Sequence, residues 1–272
     1  SDVAHISYYD DSNGDLMYTY YDGAIQTPVR IATTGDVGKY SSLDIDSNDN
    51  IYISFSDYTT GDLSLIKKQQ GVGWGSIVQL DGDATTSSHT NGDIREEISL
   101  AIDDDDGIHI VYFDWSNGNL RYINSSDGIY WDLPQTITSN GVVGSRNSLA
   151  INSLNEVHIM YYSQSGGGIL GHAYKQNNVW NTHNGIFNGI YNSIAFDSED
   201  YMHLSFFYDN GNSLNYHFVQ PTRLTSLADA STNGNNANVI SNLESVPAVF
   251  DSGVKFDGID DYIEINNPPD WY

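Results

Sequence analysis

Apolar and polar residues alternate in short runs along most of positions 1–220, and the runs are broken by Asp, Asn and Gly. A period of two is the mark of a β-strand, whose successive side chains point to opposite faces. The runs also repeat. "AHISYYDDSNGDLMY", "IYISFSDYTTGDLSL", "IHIVYFDWSNGNLRY", "VHIMYYSQSGGGILG" and "MHLSFFYDNGNSLNY" align as strand, polar turn and strand. Their second residues are His5, Tyr52, His109, His158 and His203, at spacings of 47, 57, 49 and 45 residues. A period of about 50 predicts a propeller or a solenoid.

Four copies carry a further strand upstream: "SSLDID" from Ser41, "ISLAID" from Ile98, "NSLAIN" from Asn147 and "NSIAFD" from Asn192. Downstream segments surround Trp74, Trp131 and Trp180. Each unit then reads as four short antiparallel strands, which is one propeller blade. The expected fold is all-β: a five-bladed propeller over residues 1–220, its repeats centred on the five residues above. The repeated His lies on a strand that is not innermost, so its copies stand apart around the wheel. Metal ligands must lie within about 2.1 Å of one ion, so these histidines are expected to be hydrogen-bonded inside their own blades instead.

Charge narrows the partners. The 272 residues include 36 acidic and 10 basic side chains, a formal charge of -26, which argues against nucleic acid and anionic membranes. Cations, neutral glycans and proteins remain, and such a surface suits a saline or extracellular setting. The sequence has no cysteine, so disulfides and thiolate metal sites are excluded. No run approaches the roughly 18 apolar residues of a membrane span. "SDVAHISYYD" lacks the regions of a signal peptide, and the chain is expected to be a mature or trimmed secreted product.

The repeat "SLAID…HIVYFD…GNLRY" resembles the sialidase-like, Asp-box-related propeller repeats of secreted proteins, and "SSDGIYW", Ser125 to Trp131, is similar to an Asp box one residue short. The resemblance covers Ser1 to about Gln220 and implies a fold, not an activity. A sialidase would need three arginines converging on a carboxylate, and only Arg30, Arg95, Arg121, Arg146 and Arg223 are present. Arg95 and Arg146 precede innermost strands, and Arg121 is expected on a blade flank.

Propellers of this kind use the mouth formed by the starts of the innermost strands and the turns between second and third strands. The mouth holds Lys39 with Tyr40, Arg95 with Glu97, Arg146, and Tyr191; the turns add Asp57, Tyr58, Asp114, Trp115, Asn117 and Tyr208. Aromatic faces that stack on sugar rings, beside carboxylates, amides and cations that bond hydroxyls, point to a glycan site. Trp115, at a turn tip, is the single strongest candidate. The leading expectation is an extracellular recognition or adhesion module for a glycan or a cell-surface protein. A carbohydrate-active enzyme of the lyase or sialidase type is the second, with Tyr40 or Tyr191 as base, Arg146 and Arg95 neutralising a uronate and Glu97 as acid. A subunit of a surface layer or filament is the third.

Two readings stand for the opposite turns. "DSNDN", with Asp44, Asp46, Asn48 and Asn50 alternating, lacks the Gly and Glu of a calcium loop and reads as a hairpin turn; Asp103, Asp104, Asp105 and Asp106 keep a weak Ca2+ site open.

The last fifty or so residues change character. "DASTNGNNANV" at Asp229, "GVKFDGIDDYIEI" at Gly253 and "NPPDW" at Asn267 resemble the opening of a laminin-G-like jelly roll, a class that binds glycans or proteins, often with calcium. Residues 221–272 are too few for a whole jelly roll. "SGVKFDG" at Ser252 has the length and alternation to fill the gap left by the missing inner strand of the first blade, either in its own chain or in a neighbour, as self-association through the C-terminal strand.

Overall fold

A computed structural model describes residues 3–82, 94, 96–139, 141–165, 167–208 and 213–219. Arg95 and the whole laminin-G-like segment, "SGVKFDG" included, lie outside the described residues. Those described form strands and connections with no helix.

The strands fall into five antiparallel sheets in chain order. The first sheet holds β1 (Ala4–Asp10), β2 (Asp15–Tyr21) and β3 (Val29–Ala32). The second holds β4 (Val37–Ile45), β5 (Ile51–Asp57) and β6 (Asp62–Gln69), with β7 (Gly73–Trp74) and β8 (Val78–Asp81) both on the outer edge of β6. The third is β9 (Glu96–Ile102), β10 (Ile108–Asp114), β11 (Asn119–Ser125) and β12 (Gln135–Thr138). The fourth is β13 (Val143–Ile151), β14 (Val157–Ser163), β15 (Ile169–Gln176) and β16 (Val179–Asn188), and the fifth is β17 (Ile190–Phe196), β18 (Met202–Tyr208) and β19 (Ser213–Val219). β4, β9, β13 and β17 pack side by side in that order, one from each sheet, as the inner strands of propeller blades do.

The core is a set of layers between sheets. Leu16 and Tyr18 of the first sheet meet Ile53 and Phe55 of the second; Leu63 and Leu65 of the second meet Ile110 and Tyr112 of the third. The same layer recurs between third and fourth, and between fourth and fifth. This is why both faces of a middle strand such as "IHIVYF" are apolar: each face is buried against a different partner.

Polar side chains stitch what the layers stack. Ser42 Oγ accepts from Leu100 N at 2.9 Å, Asp44 Oδ2 accepts from Ile102 N at 2.7 Å, and Ser99 Oγ accepts from Leu149 N at 3.1 Å. Inner strands of neighbouring sheets share no ladder, so these side chains satisfy edge amides that would otherwise lack an acceptor. The tryptophans belong to the same system. Trp74 stands edge-on to Tyr18 of the preceding sheet and Trp180 edge-on to Tyr122, both with ring centroids 4.9 Å apart. Around two of them the fourth strand forms farther along the chain, at β8 and β12.

One turn is used four times between first and second strands. Asp46, Asp103, Asn152 and Asp197 each accept from the backbone N of the residues two and four further on, and Asp49, Asp106, Asn155 and Asp200 adopt positive φ. The turn chemistry is that of Asx turns, whose side chain replaces a backbone acceptor. The second-strand histidines anchor to this frame: His5, His109 and His203 bond the hydroxyls of Tyr18, Tyr122 and Tyr216, and His158 bonds His172 at 3.1 Å, each inside its own sheet.

Inner strands start by squeezing past the sheet before them. Gly144 has φ 112°, and a Cβ there would stand 2.7 Å from Leu120 Cα of the third sheet. Gly144→Ala therefore meets a rigid backbone in a conformation L-residues avoid, and is expected to lower stability by at least about 2 kcal/mol. An unchanged urea midpoint would contradict this packing.

Candidate functional site

Each inner strand opens with a bulge, and the extra residue falls at the same address each time. Against β5 the pairing slips between Lys39 and Ser42, against β14 between Ser145 and Ser148, against β18 between Ile190 and Asn192, and β9 skips one residue between Glu96 and Ile98. The residues set off the ladder are Tyr40 with Ser41, Glu97, Arg146 with Asn147, and Tyr191, and Tyr40, Glu97, Arg146 and Tyr191 share one address, two residues before the aligned serines Ser42, Ser99, Ser148 and Ser193. Tyr40, Arg146 and Tyr191 hold φ of 53°, 49° and 52°, a left-handed conformation uncommon for bulky side chains. A bulge re-aims one side chain while the strand continues. Here it sets one such residue at the same address in each of the second to fifth sheets.

Hydrogen bonds tie these addresses together across three sheets. Glu97 Oε2 accepts from Arg146 N at 2.5 Å, Asn147 Nδ2 donates to Glu97 O at 2.9 Å, and Asn192 Nδ2 donates to Arg146 O at 2.5 Å. The Arg146 guanidinium lies over the Tyr191 ring at 4.7 Å and the Tyr162 ring at 5.1 Å. Tyr191 is 60% exposed.

A second cluster forms at the mouth of the second sheet. Lys39 Nζ pairs with Asp36 Oδ2 at 2.7 Å and lies 4.1 Å from the centre of the Tyr58 ring and 4.9 Å from that of Tyr9. Tyr9 donates to Asp36 Oδ1 at 2.6 Å, and Tyr40 stacks on Tyr58 with centroids 6.4 Å apart. The Lys39 ammonium and the Tyr9 hydroxyl hold the Asp36 carboxyl below the usual carboxylate range, and Asp36 in turn raises the Lys39 pKa. This lysine is paired by an acid three residues earlier, which Tyr9 of the first sheet also holds.

The other sequence candidates separate. Trp115 is 54% exposed, its ring edge-on to Phe113 at 5.9 Å. Asp114 is buried: its carboxylate accepts from Asn117 N and Nδ2 and lies 3.7 Å from Arg121 Nη1, so it builds the turn and leaves the exposed face. Asn117 is its partner in that turn. Asp57 Oδ1 likewise accepts from Thr59 N and Thr60 N. Tyr208 is half-buried and leans on the layer between fourth and fifth sheets. Arg121 lies on the flank of the third sheet: its guanidinium reaches Asp81 of the second sheet at 2.8 Å, and the side chain is largely buried.

At the opposite end, three of the four carboxylates proposed for calcium, those of Asp103, Asp105 and Asp106, go to different neighbours, and Asp104 bonds Asn155 through its backbone N. Asp103 holds its own turn and His109 Nε2 at 3.0 Å, Asp105 accepts from Asn155 Nδ2 at 2.8 Å, and Asp106 accepts from Ser47 N and Oγ. They link the third sheet to the second and the fourth. Among the described residues no three His, Asp or Glu side chains converge as metal ligands.

Asp36, Tyr9 and Tyr162 were not among the sequence candidates. Tyr9 and Tyr162 are the second residues of the doublets Tyr8-Tyr9 and Tyr161-Tyr162, and alternation sends the second ring to the side opposite the first; that was the available signal.

No protein-family model matches the sequence, and no curated protein matches it. Solved structures do. The SapL1 lectin in complex with alpha methyl fucoside matches with a TM-score of 0.52 and 12% identity, over 87% of this chain and 76% of that one. An ulvan lyase bound to a GlcA(1-4)Rha3S unit, from a polysaccharide lyase family, matches with a TM-score of 0.55 and 14% identity, over 80% and 64%. A leech intramolecular trans-sialidase matches with a TM-score of 0.51 and 10% identity, over 76% and 36%. At these identities the likeness is one of fold, all-β and propeller-like. The chain spans under two thirds of the lyase and about a third of the trans-sialidase. No helix among the described residues is long and apolar enough to cross a membrane.

Proposed function

We propose that this chain is an extracellular recognition module that binds glycan at the mouth of its sheets. The observation that carries this reading is the row of bulge residues: Tyr40, Glu97, Arg146 and Tyr191 differ in chemistry, share one address, and come from consecutive sheets. Exposed rings at Tyr191, Tyr40 and Trp115 supply flat faces for sugar C–H groups, while Glu97 and Arg146 beside them suit hydroxyls and charged substituents. The fold supports it by likeness to a lectin and to enzymes of carbohydrates. The five sheets are read as five blades of a propeller spanning residues 1–220, with 221–272 opening a laminin-G-like unit.

Recognition is favoured over turnover because the repeated histidines, the residues most suited to proton transfer near neutral pH, sit at the opposite end and are bonded within their sheets. An enzyme would have to work with Tyr191 and Glu97 around Arg146, and this proximity is what favours that second reading. Release of unsaturated or reducing ends from acidic polysaccharides would establish it.

A glycan-array screen of the whole chain tests the first reading, with Tyr191→Ala and Trp115→Ala alongside. Loss of one stacking ring is expected to weaken binding by about tenfold, with Tyr191→Phe close to wild type. Binding that neither alanine variant alters would place the site elsewhere.

A further inference from the structure

We infer that Arg146 is an anion anchor, and that the glycan bound at the mouth carries a carboxylate or sulfate group which pairs with its guanidinium. This rests on the glycan-binding reading above and names the chemical class of ligand for that site.

The other two described arginines pair with carboxylates of the protein, the half-exposed Arg30 with Asp15 at 3.2 Å and the largely buried Arg121 with Asp81 at 2.8 Å, and Lys39 pairs with Asp36 at 2.7 Å. Arg146 has no carboxylate within ion-pair distance among the described residues, in a chain with 36 acidic side chains against 10 basic ones. The nearest acid by connection, Glu97, turns its Oε2 to the backbone N of Arg146 at 2.5 Å. It fixes the bulge.

The guanidinium itself is held for use from outside. Tyr191 and Tyr162 lie against it at 4.7 Å and 5.1 Å; its Nε is buried without an acceptor and out of a ligand's reach, so an outside anion meets the Nη groups. Ring contacts of this kind engage the π-face of a guanidinium and leave its in-plane N–H groups to bond acceptors. A carboxylate or sulfate presents two oxygens that match that fork. A neutral sugar hydroxyl offers one weaker acceptor and leaves the charge uncompensated. The backbone adds a third observation, since Arg146 is kept at φ 49° by bonds from the sheets on either side, to Glu97 and from Asn192. Non-glycine residues in that region persist where surrounding structure holds them, commonly at binding sites. Nucleic acid phosphate is disfavoured as the anion by the charge of -26, which repels a polyanion over its whole length. A short acidic saccharide meets the same repulsion with few charges, and its carboxylate or sulfate pairs with Arg146 while its ring lies against Tyr191.

The test uses the whole chain and two probes of equal length, oligogalacturonate and its methyl ester, in isothermal titration. The acid is expected to bind at least 30-fold more tightly than the ester. Arg146→Gln is expected to erase that difference and Arg146→Lys to restore part of it. Thermal unfolding of each variant, with sodium sulfate against sodium chloride at matched ionic strength, gives a readout independent of the sugar: sulfate stabilises any folded protein, so the sulfate protection that counts is the part lost in Arg146→Gln. Acid and ester bound equally, with both weakened by Tyr191→Ala, would overturn the anion anchor and leave glycan recognition standing. Acid binding retained in Arg146→Gln would also overturn it. No binding of either probe, together with no sulfate protection of that kind and no array signal, would overturn both.

Discussion

Arg121→Met is expected to destabilise the protein by about 3–5 kcal/mol, the cost of stripping a buried carboxylate of its cation. Asp81 accepts from Arg121 at 2.8 Å and from the Tyr112 hydroxyl, and side-chain exposure is 4% at Asp81 and 2% at Asp114, the second carboxylate near this guanidinium. With the arginine gone, Asp81 keeps one neutral donor, between the second and third sheets, where water does not reach. The methionine fills the volume, so the loss isolates charge from packing. A urea midpoint shift equivalent to under 1 kcal/mol would show that the pair does not hold these sheets together. The double variant Asp81→Asn with Arg121→Met should recover most of the loss, because an amide buries without a charge.

Acid should open the fourth sheet before it protonates the ordinary carboxylates. His158 and His172 stack inside it with Nδ1 and Nε2 3.1 Å apart, and Phe196 covers His158 from the fifth sheet. Burial lowers the His158 pKa to about 4 and holds that of His172 well below its ordinary value of 6.5. The folded state thus resists protons that the unfolded chain binds from pH 6.5 downward. The stabilisation is complete above the unfolded pKa and is lost as pH falls from about 6.5 toward about 4. For His158 alone the loss is about 3 kcal/mol, most of it by pH 4.5. Urea unfolding at pH 7.5 and 4.5 measures it, and His158→Phe with His172→Phe should flatten the difference. An unchanged midpoint at pH 4.5 would mean that these rings are not buried neutral.

Much of this architecture was legible in the sequence because the strand, turn and strand segment recurs at intervals of about 50 residues, even where burial on both faces erases the alternation within a strand. The five repeated segments correspond to the hairpins β1–β2, β5–β6, β10–β11, β14–β15 and β18–β19, and the four upstream segments to β4, β9, β13 and β17. What local pattern could not show was partnership at a distance. His109 and Tyr122 are 13 residues apart in the chain and bond at 2.6 Å across the hairpin, and Trp180 reaches back a whole sheet to Tyr122. Asp114 looked like a ligand contact because its type is polar. Its burial follows from Asn117 and Arg121, each contributed by the fold.

The mouth was legible as an address and not as a geometry. Tyr40, Glu97, Arg146 and Tyr191 were singled out because they precede inner strands. The bulge that sets each of them off the ladder leaves one trace in the sequence, a glycine two residues earlier at Gly38, Gly144 and Gly189, absent before Glu97.

The serine and aspartate stitches between inner strands have a mechanical meaning. Among the described residues each sheet is fastened to its neighbours in chain order through such side chains, so strain passes between sheets through a few discrete couplings rather than a continuous ladder. A ligand gripping Glu97, Arg146 and Tyr191 together would touch three of those sheets at once. It would add a fastening of its own, so that the third, fourth and fifth sheets open together.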